Sequence, residues 1–202
     1  TIMNIPIYYF KVDENDPEDG LTAIAMVDKP AILKQWLAFE EHEKKQPFQF
    51  AINEERRIVT SPIMIPDLPI YRKVADKSGV EKEFYVAASK DTIEKLVMKF
   101  MREAKTNFIK STHQQESDKT KGVFLFEMFI SDEARGISQP KGFDLPDGTA
   151  FASIKVNNDA EWKKVKDGTF NGLSIEIFSE MIPTEIQMTD EQIISVIQSI
   201  IN

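Results

Sequence analysis

The stretch Trp162-Lys163-Lys164-Val165-Lys166-Asp167-Gly168-Thr169-Phe170-Asn171-Gly172-Leu173-Ser174-Ile175-Glu176-Ile177-Phe178 decides the fold class. Asn158 and Glu161 form a capping-box-like start just upstream, Trp162 and Val165 share a helical face, and Gly168 is a stop signal. Gly172–Phe178 alternates as a strand does, so a helix precedes the serine and a strand contains it. Asn171-Gly172-Leu173-Ser174 resembles half of a nucleophile elbow, but the second glycine is missing. An elbow also needs the opposite order, strand then helix. An α/β-hydrolase sheet is therefore disfavoured. Within the strand, Leu173, Ile175 and Ile177 fall on one face and Ser174, Glu176 and Phe178 on the other. Ser174 and Glu176 are then roughly 7 Å apart, and both can approach one imidazole laid across that face. A strand with a plain polar outer face reads the same way.

Moving outward, Thr189 and Gln192 open a last helix whose apolar face is Ile193, Val196, Ile197, Ile200 and Ile201. That face calls for burial, on its own domain or against a partner, and self-association would supply the latter. Upstream, Thr149–Val156 reads as a strand, residues 131–148 as a Gly/Pro-rich loop, and Val123–Ile130 as an apolar run broken by Glu127. Ser89 is an N-cap for a helix with Ile93, Leu96, Val97, Phe100 and Met101 on one stripe. Glu83–Ala88, Arg57–Pro66, Phe48–Ile52, Ile32–Phe39, Leu21–Val27 and Ile5–Val12 read as extended. Pro66–Arg72 holds too many prolines for a central strand, and residues 73–82 read as a loop or hairpin tip. Strands outnumber helices and do not alternate with them. This predicts an α+β domain, a barrel-like, mostly antiparallel sheet with a few packed helices.

The 202 residues suffice for one domain. We expect a single domain over 1–202, with 1–56 a β-rich N-terminal extension and 189–202 a C-terminal helix. The net charge of −8 lacks a basic patch, which argues against nucleic acid as a partner. No apolar run reaches the ~20 residues of a membrane span. The absence of cysteine excludes disulfides and thiolate chemistry. The acidic run Asp13–Asp19 lacks the spacing of a calcium loop and reads as a solvated turn. We expect no cofactor and no metal.

Only two histidines are present, His42 and His113. His42 lies in a charged connector and carries little functional weight. His113 ends a short extended piece, Phe108–Thr112. Glu127 shares its predicted face with Leu125 and Phe129, so it is either paired in the interior or able to orient a histidine.

An ordered set of motifs goes further. Ala23-Ile24-Ala25-Met26-Val27-Asp28-Lys29-Pro30-Ala31-Ile32 is followed by Arg57–Pro66 and by Pro69-Ile70-Tyr71-Arg72. Gly142–Thr149, Lys155-Val156 and Trp162–Gly168 then lead into Phe170–Glu176. The last part is similar to the pattern W-x-x-V-x-x-G-x-x-x-G-[FL]-S-[IV]-E. In this order the chain resembles the XkdF-like branch of the phage prohead proteases, the capsid-maturation peptidases related in fold to the herpesvirus assemblins.

The resemblance implies a barrel-like β-sheet with surrounding helices and a serine endopeptidase activity. Its substrates would be phage capsid and scaffold proteins, inside the procapsid in the host cytoplasm. Carried over by position, Ser174 is the nucleophile and His113 the general base. Assemblins add a second histidine after the serine. None follows Ser174 here, so a carboxylate substitutes or the site is a dyad. Glu176 is the preferred acid and Glu127 the alternative. The same resemblance admits a catalytically inactive structural or scaffolding component of the capsid.

Overall fold

The structure, a computed structural model, describes residues 5–27, 51–75, 78–104, 109–110 and 122–201. The strands are β1 (Ile5–Lys11), β2 (Gly20–Val27), β3 (Ala51–Asn53), β4 (Ile58–Met64), β5 (Ile70–Ala75) and β6 (Glu81–Ala87), then β7 (Ile109–Lys110), β8 (Val123–Ile130), β9 (Ala150–Val156), β10 (Gly172–Phe178) and β11 (Glu180–Met188). The helices are α1 (Lys90–Arg102), α2 (Asp159–Lys166) and α3 (Asp190–Ile201). Among the described residues the strands form three sheets, ordered β11-β1-β6-β5, β10-β2-β7 and β3-β4-β9-β8. Pairing is mostly antiparallel, with β1/β6 and β2/β7 parallel. The architecture is α+β, and these strands close no barrel.

Two sheets are continuous through one strand. Only Ser179 separates β10 from β11, and pairing passes from β2 (Phe178 opposite Gly20) to β1 (Glu180 opposite Lys11). The acidic turn between β1 and β2 bridges the same place and folds around an ammonium group. Lys99 of α1 is 2% exposed, and its Nζ donates to the carbonyl oxygens of Asp13 (3.1 Å), Asp16 and Asp19. The turn is therefore solvated outside but closed inside by a cation that the chain itself provides.

Helix α1 begins where its cap predicts, with Ser89 Oγ accepting from the Thr92 N–H at 3.2 Å. Ile93, Leu96, Val97 and Phe100 are buried in the larger core with Ile24, Met26, Val59, Ile154, Trp162 and Leu173. Met101, expected on the same stripe, is 44% exposed. A second core joins Ile7, Ile65, Leu68, Tyr85 and Phe151 to Ile193 and Ile197 of α3. The C-terminal helix thus buries Ile193 and Ile197 on its own chain. Burying each such side chain contributes about 1.5–3 kcal/mol.

Two elements differ from the sequence reading. Residues 70–75 are a strand, not an extension of the proline-rich turn. Strand β5 starts after Pro69 and lies at a sheet edge, paired only with β6. Pro66 and Pro69 precede it, so no ladder hydrogen bond is lost. Strand β11 had no sequence signal as a strand, because Glu180, Thr184 and Glu185 break the apolar alternation and Pro183 lies within it. It too is an edge strand, where proline is tolerated. The expected strand over Ile32–Phe39 lies outside the described residues, as do His42 and His113.

Candidate active site

The decisive stretch folds in the predicted order. Asn158 Oδ1 caps α2 by accepting from the Glu161 N–H at 3.1 Å. The helix ends at Gly168, whose φ of 79° is costly for any residue with a Cβ. The Phe170 N–H then turns back to the Lys164 carbonyl at 2.9 Å. The Phe170 ring is buried beneath the Lys164 ammonium, which lies 5.2 Å from its centroid. With the helix end and Phe170 fixed, the Asn171 N–H bonds the Val27 carbonyl at 3.1 Å, and β10 runs antiparallel to β2 from Gly172 onward.

Ser174 pairs with Ala25 and is half-buried, as is Glu176. Thr22 is the extra residue of a bulge between Glu176 and Ile177, and its hydroxyl donates to the Glu176 carbonyl at 3.2 Å. Among the described strands β10 is an edge. It borders a cavity of about 310 Å³, at the small end of ligand sites (about 300–1,000 Å³). All five residues Leu173–Ile177 line that cavity. Alternate side chains of a strand face opposite ways, so five consecutive lining residues mean that the strand's main-chain edge faces the space.

The opposite walls come from Ile63 to Ile65, Leu68, and Ile70 and Arg72 of β5. The turn carrying Leu68 is held in place from two sides. The Asp67 N–H bonds the Ala88 carbonyl at 2.9 Å, with Asp67 at φ 58°, a left-handed conformation aspartate tolerates. Tyr9 bonds the Asp67 side chain, and its phenol is pushed up to about 12, first by burial and then by the Asp67 charge. It therefore stays a neutral hydrogen-bonding anchor throughout the ordinary pH range.

Sequence reasoning missed Arg72. Its guanidinium is pulled below its ordinary value by burial, and its Nη1 donates to the Tyr71 carbonyl at 3.0 Å. The signal was present in the alternation of Ile70 and Arg72 against Tyr71 and Lys73, once residues 70–75 are recognised as a strand.

Glu127 is placed differently from the expectation. A bulge between Leu125 and Glu127 shifts the register against β9 and breaks the face that Glu127 was to share with Leu125. Glu127 is exposed. Its Oε2 accepts from Ser153 Oγ at 2.8 Å, and Ser153 Oγ also lies 2.9 Å from Thr60 Oγ1. Ser174 and Glu176 thus lie on one cavity wall, Glu127 belongs to a different polar cluster, and His113 lies outside the described residues. Among the described residues no group of three or more His, Asp or Glu side chains is arranged to hold a metal ion.

A family model described as "Putative phage serine protease XkdF" matches residues 49–183, about two thirds of the chain. The chain belongs to this family. The XkdF match spans β3 to β10 and the first part of β11, and it contains Arg72, His113, Glu127, Ser174 and Glu176. The motifs Arg57–Pro66, Pro69–Arg72, Gly142–Thr149 and Phe170–Glu176 fall inside it, and Ala23–Ile32 falls outside. Strands β1 and β2 precede the matched range, yet β2 is the partner of β10 and β1 of β11. No curated protein and no solved structure matches the chain. Among the described residues no helix is long and apolar enough to cross a membrane.

Proposed function

We propose that the chain is a serine endopeptidase that cleaves phage capsid and scaffold proteins during prohead maturation, inside the procapsid, with all 202 residues forming one protease domain. Ser174 is the nucleophile and His113 the general base. The observation that carries this reading is that Ser174, in a chain of the XkdF family, lies half-buried on the edge of a cavity rather than in the core. An extended substrate can run along the main-chain edge of β10.

In this mechanism the His113 imidazole takes the Ser174 hydroxyl proton as the oxygen attacks the scissile carbonyl. The imidazolium then protonates the departing amine, leaving an acyl-enzyme that water hydrolyses by the same route. Main-chain N–H groups near Ser174 hold the oxyanion. Glu176, on the same cavity wall, orients the imidazole and stabilises its charge, with Glu127 as the alternative acid. Co-expression with the phage's capsid and scaffold proteins tests this. The wild-type chain should shorten them, and Ser174→Ala should leave them intact while preserving its own circular-dichroism spectrum. Processing that persists in Ser174→Ala would refute the assignment.

A further inference from the structure

We propose that the cavity beside Ser174 selects its substrate through an acidic side chain adjoining the scissile bond, whose carboxylate pairs with Arg72. This rests on the reading of Ser174 as nucleophile and adds the chemistry of what it cleaves.

Arg72 is the sole cation among the residues lining the cavity, and Glu176 the sole anion. The remaining walls are almost wholly apolar, with Ile63, Leu68 and Ile70 among them. A guanidinium has five N–H donors, and Arg72 spends one on the Tyr71 carbonyl. Among the described residues no carboxylate pairs with it. The nearest acids of the hairpin, Glu81 and Glu83, stand opposite Ala75 and Lys73 on its other face and pair with Lys73, at 2.6 and 3.7 Å. Arg72 itself stands opposite Phe84.

Burial already pulls its charged form down, and desolvating a cation is costly. A carboxylate entering from outside recovers that cost. Planar carboxylate and planar guanidinium meet through two parallel hydrogen bonds, which a neutral amide cannot reproduce. The methylenes of the entering side chain lie against Leu68 and Ile70. Removing Arg72 should abolish the preference.

The test uses three peptides that differ at one residue flanking the scissile bond, Glu, Gln or Lys, drawn from a site the wild-type chain cleaves in a random peptide mixture. The Glu peptide should exceed the Gln peptide by about tenfold or more in kcat/KM, chiefly through KM. Arg72→Gln should abolish that advantage, bringing the Glu peptide down to the Gln and Lys peptides, and Arg72→Lys should restore part of the Glu preference. Labelling of Ser174 by a small neutral fluorophosphonate separates the two readings, since that probe needs no acidic group. Labelling of Ser174 with equal cleavage of Glu and Gln peptides overturns the acidic selection and leaves the protease standing. If neither labelling nor cleavage occurs, the protease reading falls, and fluorescence anisotropy with three extended peptides of one fixed sequence, differing only in a central Glu, Gln or Lys, decides the rest. Tighter binding of Glu than Gln, lost in Arg72→Gln, supports the Arg72 pocket, and equal or absent binding overturns it.

Discussion

Two serine–glutamate pairs lie on different strands of this chain, and only one of them is open. Ser153 on β9 donates to Glu127 at 2.8 Å and meets Thr60 at 2.9 Å, yet it is 1% exposed. Ser174 on β10 shares a cavity wall with Glu176, half-buried, with its strand's main-chain edge toward the space. The first has the better hydrogen bonds and the second has access. A hydroxyl saturated by a carboxylate and a threonine inside a sheet is satisfied structure. A nucleophile needs room for a carbonyl to approach, and β10 provides it.

The comparison can be broken most directly by exchanging the serines. Ser174→Ala should lower kcat by about 10⁴-fold or more, as loss of a triad serine does, with the melting temperature unchanged. Ser153→Ala should leave kcat within about threefold but destabilise the fold by about 1–3 kcal/mol, because Glu127 and Thr60 lose a shared partner. Urea denaturation beside a peptide-cleavage assay reads both.

Next in size is the choice of acid. Glu176→Gln should cost about 10²–10⁴-fold in kcat by releasing the imidazole, whereas Glu127→Gln should cost about 1 kcal/mol of stability through its bond to Ser153. The reverse pattern would move the orienting role to Glu127. The rate should rise with pH as His113 loses its proton, and His42→Ala should leave that profile unmoved.

A smaller effect sharpens the role of the scaffold. Lys99→Met leaves the carbonyls of Asp13, Asp16 and Asp19 without their ammonium, and should cost about 1–3 kcal/mol with activity retained. The smallest concerns the loop 131–148. Asp147 is held below the usual carboxylate range chiefly by its bond to Lys90, and Asp132 by its bond to Arg135. Groups depressed in the folded state add stability that is present above their unfolded value, near 4, and lost as pH falls through the folded one. Both side chains are partly open to solvent, so Asp147→Asn should cost a little stability at pH 7, and its difference from the wild type should vanish as pH falls below about 4. Circular dichroism against pH measures it.

Much of the fold was legible in the sequence. The caps Ser89 and Asn158, the stop at Gly168 and the alternation of Gly172–Phe178 each have a local physical cause, and each appears where expected. Strands β5 and β11 were not legible, because edge strands tolerate the prolines and charges that argue against central ones. The face of Glu127 was misjudged for a related reason, since one inserted residue at a bulge moves every later side chain to the opposite side. Ser174 was legible as a motif, and its access to a cavity was not, because β4, β5 and β6 that build the opposite walls lie about 90 residues or more away in the chain. Arg72 was hidden with β5.

The most direct measurement is labelling of the whole chain with a fluorophosphonate, followed by peptide mapping of the modified residue. The account predicts one adduct, on Ser174, absent in Ser174→Ala and strongly slowed in His113→Ala, with Ser153 unmodified. An adduct on another serine, or labelling of Ser174 at the same rate without His113, would contradict it.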